Sequence, residues 1–131
     1  QVTSIFGRIR RLPIMDPDTY QAKEAIRQAV NSPIQGGVSD FTVLCGWNAR
    51  TTLKEAKVKH WHMVAEVHDS WVLDVKNDVK ETVARVFRDA FKNPNLTLFG
   101  IRLDVPMDVE IKVGNNWKEM EVYEEDFRTS S

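Results

Sequence analysis

The chain has only one cysteine, Cys45, among its 131 residues, so it cannot form an internal disulfide. A lone cysteine suits a reducing compartment, and no motif marks Cys45 as a nucleophile, which predicts a small buried side chain. The sequence also lacks an apolar run near the ~18 residues of a membrane span, and its start lacks a signal-peptide pattern. These absences favour a globular chain, and a hydrophobic content of 42% is enough for one domain with a core.

Charge is distributed unevenly along the chain, although the net charge is only −1. Residues 1–60 carry nine Lys and Arg against five Asp and Glu, whereas residues 61–131 carry nine against fourteen. The basic half is suited to a polyanion, and the acidic half to solvent or to a cation. A pI near 6.3 argues against nucleic-acid binding that depends on charge alone.

The stretch His62–Val75 has the pattern of a β-hairpin, because two apolar, β-branched runs flank a short polar centre, His68-Asp69-Ser70. Side chains alternate along a strand, so the odd-numbered apolar residues from Met63 to Val75 are expected to line one face of each strand. A turn carried by two stiff strands suits metal or phosphate chemistry. It is equally compatible with a plain polar turn.

The remaining pattern predicts an α+β fold. The predicted segments are a basic extended segment over 1–13 with a glycine bend, helices over 20–55, the hairpin over 61–75, a helix over 79–91, a strand over 103–113 and a frayed acidic tail over 118–131. Ser32-Pro33 is expected to separate two helices, since proline lacks an amide hydrogen and suits a first helical turn. Gly36-Gly37 suggests close approach of a backbone or ligand. The architecture expected is an antiparallel sheet with a central hairpin and helices packed on one face.

A polar row follows one face of the first predicted helix. Its members are spaced four residues apart: Lys23, Arg27, Asn31 and Gln35. Such side chains supply hydrogen-bond donors, and every base pair presents an acceptor in the DNA minor groove. The row is therefore suited to contact a duplex without reading its sequence. It is expected to lie opposite an apolar stripe formed by Ala22, Ala25, Ile26, Ala29 and Val30. The alternative is an ordinary solvated helix face.

A second polar row contains His60, His62, Glu66 and His68. On an extended strand these even-numbered residues point the same way, and two imidazoles with a carboxylate is a spacing that zinc can use. This leaves a zinc site as an alternative. Asp69 is a different candidate, but a single aspartate does not make a two-metal site for phosphoryl transfer, which needs several oxygen ligands.

Several segments, in order, resemble the C-terminal palm region of family A DNA polymerases, the bacterial DNA polymerase I type and its bacteriophage relatives. The strongest likeness lies in Asn31–Asp40, preceded by Arg27 and followed by Val67-His68-Asp69. Thr3–Arg10 looks like the family's segment after the fingers, and Val105–Val109 with Gly114–Trp117 looks like its closing strand and turn. The likeness extends from about Thr3 to Trp117, which suggests a palm portion over 1–117.

The resemblance implies DNA-templated DNA synthesis by two magnesium ions on a palm-type sheet. Asp69 matches a metal-binding catalytic aspartate, and His68 matches the residue that approaches the primer terminus. The residues expected to contact nucleic acid are Arg27, Asn31 and Gln35 in the minor groove, with Lys23, Arg8 and Arg10. The implied partners are primer-template DNA and deoxynucleoside triphosphates, in a bacterial or phage-infected cytoplasm. Magnesium prefers oxygen ligands, which agrees with a carboxylate here.

Two departures from the family pattern bear on this prediction. Ser70 stands where these polymerases commonly carry a glutamate, and His-Asp-Ser also occurs in single-subunit RNA polymerases, which therefore remain an alternative. The family's first metal-binding aspartate and its nucleotide-binding fingers helix have no match in these residues. We therefore expect a fragment or one subunit of a split enzyme, inactive alone and completed by an N-terminal polymerase portion. A small zinc-dependent hydrolase and a binding module without chemistry are also compatible with the sequence.

Overall fold

A computed structural model describes residues 1–12 and 19–124 of the chain. Its elements are β1 Val2–Thr3, β2 Ile9–Arg10, α1 Tyr20–Glu55, β3 Trp61–Val67, β4 Ser70–Val75, α2 Lys80–Lys92, β5 Lys112–Val113 and β6 Glu121–Val122, with 3-10 turns at Thr97–Phe99 and Trp117–Glu119. The described strands form three two-stranded sheets, β1-β2, β3-β4 and β5-β6. This mixture of helices and antiparallel strands confirms the predicted α+β class.

The described residues fall into two compact units. One contains Gln1–Leu44 together with Val67–Ser70, and the other contains Cys45–Glu66 and the chain from Trp71 onward. The helix α1 and the β3-β4 hairpin each contribute to both units. Each unit has its own set of packing contacts.

In the first unit the β1-β2 ribbon bends at Gly7 and packs on α1. Gly7 has φ +84°, and its N–H donates to the Ser4 carbonyl at 2.9 Å. Glycine accepts this left-handed conformation without steric cost. The glycine pair Gly36-Gly37 in α1 lies against this ribbon. A Cβ built on Gly37 would lie 3.3 Å from Cγ2 of Ile5, which is in the ribbon. The close approach suggested by that pair is therefore a contact with this segment.

In the second unit the apolar core forms where one face of the hairpin meets two helices. Ala49 and Leu53 of α1 and Val83 and Phe87 of α2 are buried together. The hairpin adds half-buried side chains, namely Trp61, Met63, Trp71, Leu73 and Val75. These are the odd-numbered residues that alternation assigns to one face, so the expected packing of helices on one face of the hairpin is present.

The expected break at Ser32-Pro33 is wrong, because α1 continues unbroken through Pro33 from Tyr20 to Glu55. Proline there removes the bond to the Ala29 carbonyl and costs about 3 kcal/mol against alanine. A helix of 36 residues has many other hydrogen bonds and is anchored by packing. In addition, Ser32 Oγ accepts a hydrogen bond from Arg10 Nη1 at 2.8 Å. These contacts offset the local penalty.

The expected strand over 103–113 is also wrong for most of its length. Only Lys112–Val113 is paired, with Lys112 opposite Val122 and Val113 opposite Glu121. From Met107 to Val113 the residues still alternate between half-buried and exposed, as the sequence pattern requires. Alternation determines which side chains share a face, but a strand also needs a hydrogen-bonded neighbour.

Residues 118–124, expected to be frayed, are structured instead. Trp117–Glu119 forms a 3-10 turn, and Asn116 Oδ1 accepts hydrogen bonds from the backbone N–H groups of Lys118 at 3.0 Å and Glu119 at 3.1 Å. The following strand β6 pairs with β5, and the Tyr123 N–H donates to the Ile111 carbonyl at 2.7 Å. Residues 125–131 of the predicted tail lie outside the described residues.

Candidate nucleic-acid interface and metal-binding turn

The hairpin turn consists of His68 and Asp69, because β3 ends at Val67 and β4 begins at Ser70. His68 has φ +58°, a left-handed conformation that is uncommon for a residue with a Cβ. A left-handed first residue is typical of the two-residue turns that join twisted antiparallel strands. The Ser70 hydroxyl donates to the Val67 carbonyl at 2.8 Å and closes the turn. Ser70, the departure from the family pattern, thus stabilises the turn itself.

The Asp69 side chain is solvent-exposed at this turn. Within residues 1–12 and 19–124 its carboxylate makes no hydrogen bond or ion pair. His68 is exposed as well. The turn therefore presents a carboxylate whose oxygens are available to a cation or to a ligand from solution.

The predicted polar row survives on α1 because the helix does not break. Lys23, Arg27, Asn31 and Gln35 are all exposed. Four residues of helix rise about 6 Å, so the row spans about 18 Å along the axis. Arg27 also pairs with Glu24 at 2.9 Å, but an exposed pair one turn away contributes little stability and leaves the guanidinium accessible.

The apolar side chains on this part of the helix do not lie where they were expected. Ala22 is buried, but Ile26 and Val30 are each 63% exposed and Ile34 is 67% exposed. Successive helical residues are about 100° apart, so an apolar row starting at Ile26 lies beside the polar row and not opposite it. Periodicity alone identified the rows correctly, but it did not determine which row the fold covers.

The two arginines of the basic segment hold that segment on α1. Arg8 forms an ion pair with Asp40, whose side chain is only 14% exposed. Ser4 Oγ also donates to Asp40 at 3.4 Å. Arg10 donates to Ser32 Oγ at 2.8 Å, and its Nη2 donates to Gln28 Oε1 at 3.3 Å. No spacing signal could have revealed a pair 32 positions apart, and sequence reasoning did not identify Asp40.

All of the predicted site residues belong to the first unit, which includes the turn Val67–Ser70. They are Arg8, Arg10, Lys23, Arg27, Asn31, Gln35, His68 and Asp69. The histidine row has no such support. His60 has φ +67° and precedes β3, so it does not continue the alternation of His62 and Glu66. Over the described part of the chain no three His, Cys, Asp or Glu side chains are placed to hold a metal ion together.

Cys45 is fully buried in α1, as its isolation in the sequence predicts. Loss of hydration on burial raises the pKa of its thiol from 9.0 to about 12. A thiol of this kind is protonated at neutral pH and is a poor nucleophile. Cys45 therefore belongs to the packing and not to a reactive site.

An exposed row of hydrogen-bond donors on a long helix and an accessible aspartate lie in the same compact unit. Comparison with known proteins gives the family. The sequence model of DNA polymerase family A matches residues 1–119, and the chain belongs to this family.

Within the described ranges, no helix is long and apolar enough to cross a membrane.

The curated relatives are bacterial DNA polymerases. DNA polymerase I of Chloroflexus aurantiacus is 30% identical over 119 residues, which cover 91% of this chain and 12% of that protein. The thermostable DNA polymerase I of Thermus filiformis is 31% identical over 119 residues, covering 90% of this chain and 13% of its own. The chain therefore spans only about an eighth of the relatives it matches.

A solved structure agrees with the sequence comparison. The POL domain of Pol1 from M. smegmatis, in complex with DNA primer-template and dNTP, superposes with a TM-score of 0.67. Its sequence is 28% identical, and the match covers 81% of this chain and 18% of that one. This confirms the resemblance stated for Thr3–Trp117 and favours the DNA-polymerase alternative over RNA polymerases.

Proposed function

We propose that this chain supplies the C-terminal palm portion of a DNA-directed DNA polymerase, over residues 1–117, and is inactive without the rest of the enzyme. The observation that carries the proposal is the grouping of the His68-Asp69 turn with the donor row of α1 in one compact unit. Nucleotidyl transfer needs a metal-binding carboxylate close to the side chains that bind the primer-template duplex. Both are proposed to come from the first unit of this chain.

The donor row is proposed to hold the primer-template duplex from its minor groove. Arg27, Asn31 and Gln35 offer N–H donors along one exposed helix face, and Lys23 adds a charge at its start. Since all four base-pair orientations present acceptors in the minor groove, such contacts are insensitive to sequence, as a replicating enzyme requires. Arg8 and Arg10 contribute from the ribbon, although part of their donor capacity is occupied by α1.

Asp69 is proposed to be one carboxylate ligand of a two-ion magnesium site. The donor chemistry fits, because an exposed carboxylate without a protein partner is a suitable ligand for a hard cation. Magnesium supplies neutralisation of the charge that develops on the transferred phosphoryl group. Since the family's first metal-binding aspartate has no match in these residues, the remaining ligands are proposed to come from outside this chain.

His68 is proposed to contact the primer terminus beside Asp69. Its left-handed backbone costs about 1–3 kcal/mol, and positions of this kind are retained where the surrounding structure and function require them. The strain places the imidazole at the exposed end of the hairpin. An exposed imidazole offers N–H donors to a sugar or phosphate oxygen.

The proposed partners are primer-template DNA, deoxynucleoside triphosphates and an upstream polymerase polypeptide, present as the same chain or as a second subunit, in the bacterial cytoplasm. The POL-domain structure contains primer-template DNA and dNTP, which supports the first two by analogy. The upstream polypeptide is needed to complete the ligand set.

The test is primer extension by the complete polymerase carrying Asp69→Asn, with Asp74→Asn as the matched control. Asp74 is an exposed aspartate of β4, five residues from Asp69. Loss of a metal-binding carboxylate is expected to lower kcat by about 10³-fold or more, while Asp74→Asn has little effect. Normal extension by Asp69→Asn would refute the proposal. Extension by the isolated chain with magnesium would refute its dependence on an upstream polypeptide.

A further inference from the structure

Gly46 lies buried in α1 against the edge of the Trp71 indole. A Cβ built on Gly46 would lie 2.9 Å from Cζ2 of Trp71 and closer still to Nε1 and Cε2. Atoms at such separations overlap, and a ring cannot yield as the end of a flexible chain can. With Trp71 in place, only glycine fits at this position of the helix.

The other two glycines of α1 are different. A Cβ on Gly36 would lie 4.0 Å from Cβ of Ser4, an ordinary contact, and one on Gly37 would lie 3.3 Å from Cγ2 of Ile5, a tight contact that a shift of a few tenths of an ångström relieves. Glycine weakens a helix interior relative to alanine, so its presence needs a packing reason. For Gly46 that reason is the Trp71 ring.

Trp71 connects this contact to the hairpin turn. It is the second residue of β4 and follows Asp69 by two positions. Its ring packs at the edge of the core cluster that contains Leu53 and Phe87, so the ring is confined on that side as well. The intervening residue, Ser70, donates a hydrogen bond across the turn to the Val67 carbonyl. Because Trp71 follows Asp69 by only two residues, a shift of the Trp71 backbone is expected to reach the turn.

We propose that Gly46 is a positioning residue for nucleotidyl transfer: by admitting the Trp71 ring to the surface of α1, it holds the start of β4 and with it the Asp69 carboxylate. The inference rests on the proposed role of Asp69. Gly46 touches neither substrate nor metal. Its effect is transmitted through Trp71 and Ser70.

The experiment compares Gly46→Ala, Gly36→Ala and Gly46→Ala/Trp71→Leu in the complete polymerase. Single-turnover extension is measured against magnesium concentration, and primer-template affinity is measured separately. Because a misplacement of about 1 Å can cost up to about 100-fold in rate, Gly46→Ala is expected to lower kcat by about tenfold or more. The magnesium concentration for half-maximal extension is expected to rise, and primer-template affinity to change by less than about twofold, since the donor row is intact.

Gly36→Ala is expected to extend primers at the wild-type rate, and replacing the ring by leucine is expected to restore much of the rate lost in Gly46→Ala. An unchanged kcat and magnesium requirement in Gly46→Ala would overturn the inference. A loss of DNA affinity together with rate would overturn it too, because that pattern indicates a general folding defect. The inference would also be overturned if adding Trp71→Leu to Gly46→Ala did not restore the rate of extension. If Asp69→Asn is itself fully active, the proposed function fails; if Asp69→Asn is inactive and Gly46→Ala normal, only this inference fails.

Discussion

His68→Gly separates backbone strain from chemistry at the hairpin turn. His68 has φ +58° and an exposed side chain, so the substitution relieves the left-handed conformation and removes almost no buried surface. A residue with a Cβ loses about 1–2 kcal/mol in this region, while glycine adds about 0.5–1 kcal/mol of unfolded-state entropy. The net expectation is a stabilisation of up to about 1.5 kcal/mol.

The control is Lys57→Gly, which relieves a left-handed residue outside the proposed site. Lys57 has φ +55° in the link between α1 and β3. Its replacement is expected to give a similar stabilisation with unchanged activity. Urea denaturation followed by the fluorescence of the four tryptophans measures the free energy of unfolding of each variant.

Activity is expected to diverge between the two variants. If the imidazole contacts a phosphate oxygen at the primer terminus, its removal costs one hydrogen bond to a charged group, worth about 1.5–3 kcal/mol and therefore at least about tenfold in rate. Extension by the complete polymerase measures this loss. If His68→Gly lowers the free energy of unfolding by more than about 1 kcal/mol, the strain argument is refuted. If His68→Gly extends primers at the wild-type rate, the proposed role of the imidazole is refuted.

Two further predictions concern the helix. Arg27→Ala is expected to weaken primer-template binding by about 1 kcal/mol or more, equally for all DNA sequences. The slope of the logarithm of the binding constant against the logarithm of salt concentration is expected to fall in magnitude by about one. A loss of affinity confined to some sequences would contradict minor-groove binding by this row. Cys45 has a raised folded-state pKa of about 12, so stability present below pH 9.0 is expected to fall between pH 9.0 and about 12 as the unfolded thiol ionises first. The free energy of unfolding, measured against pH, is expected to fall less in Cys45→Ala than in the wild type. An identical fall in both proteins would contradict this prediction.

The hairpin was predictable because its determinants are local. Two alternating apolar runs and a short polar centre specify antiparallel strands joined by a tight turn, and the structure places β3 and β4 at Trp61–Val67 and Ser70–Val75. The polar row on α1 was predictable for the same reason, since its spacing follows from helix geometry. The family likeness added the candidate roles of these residues.

The errors arose where a local rule met a non-local contact. Proline at position 33 favours a helix boundary, but packing and a long hydrogen-bonded helix outweigh that preference. The alternation from Leu103 to Val113 favours a strand, but within the described residues only its end finds a partner strand. Ile26 and Val30 have the spacing of a core-facing stripe and are nevertheless exposed.

By itself, the sequence determined the two faces of the hairpin, the donor row and the turn that presents Asp69, because each depends on residues within a few positions of one another. Tertiary structure decided what is covered and what is joined: the exposure of Ile26, the ion pair between Arg8 and Asp40, and the contact of Trp71 with Gly46. Those features depend on residues far apart in the chain that packing brings into contact. No local pattern encodes such a contact.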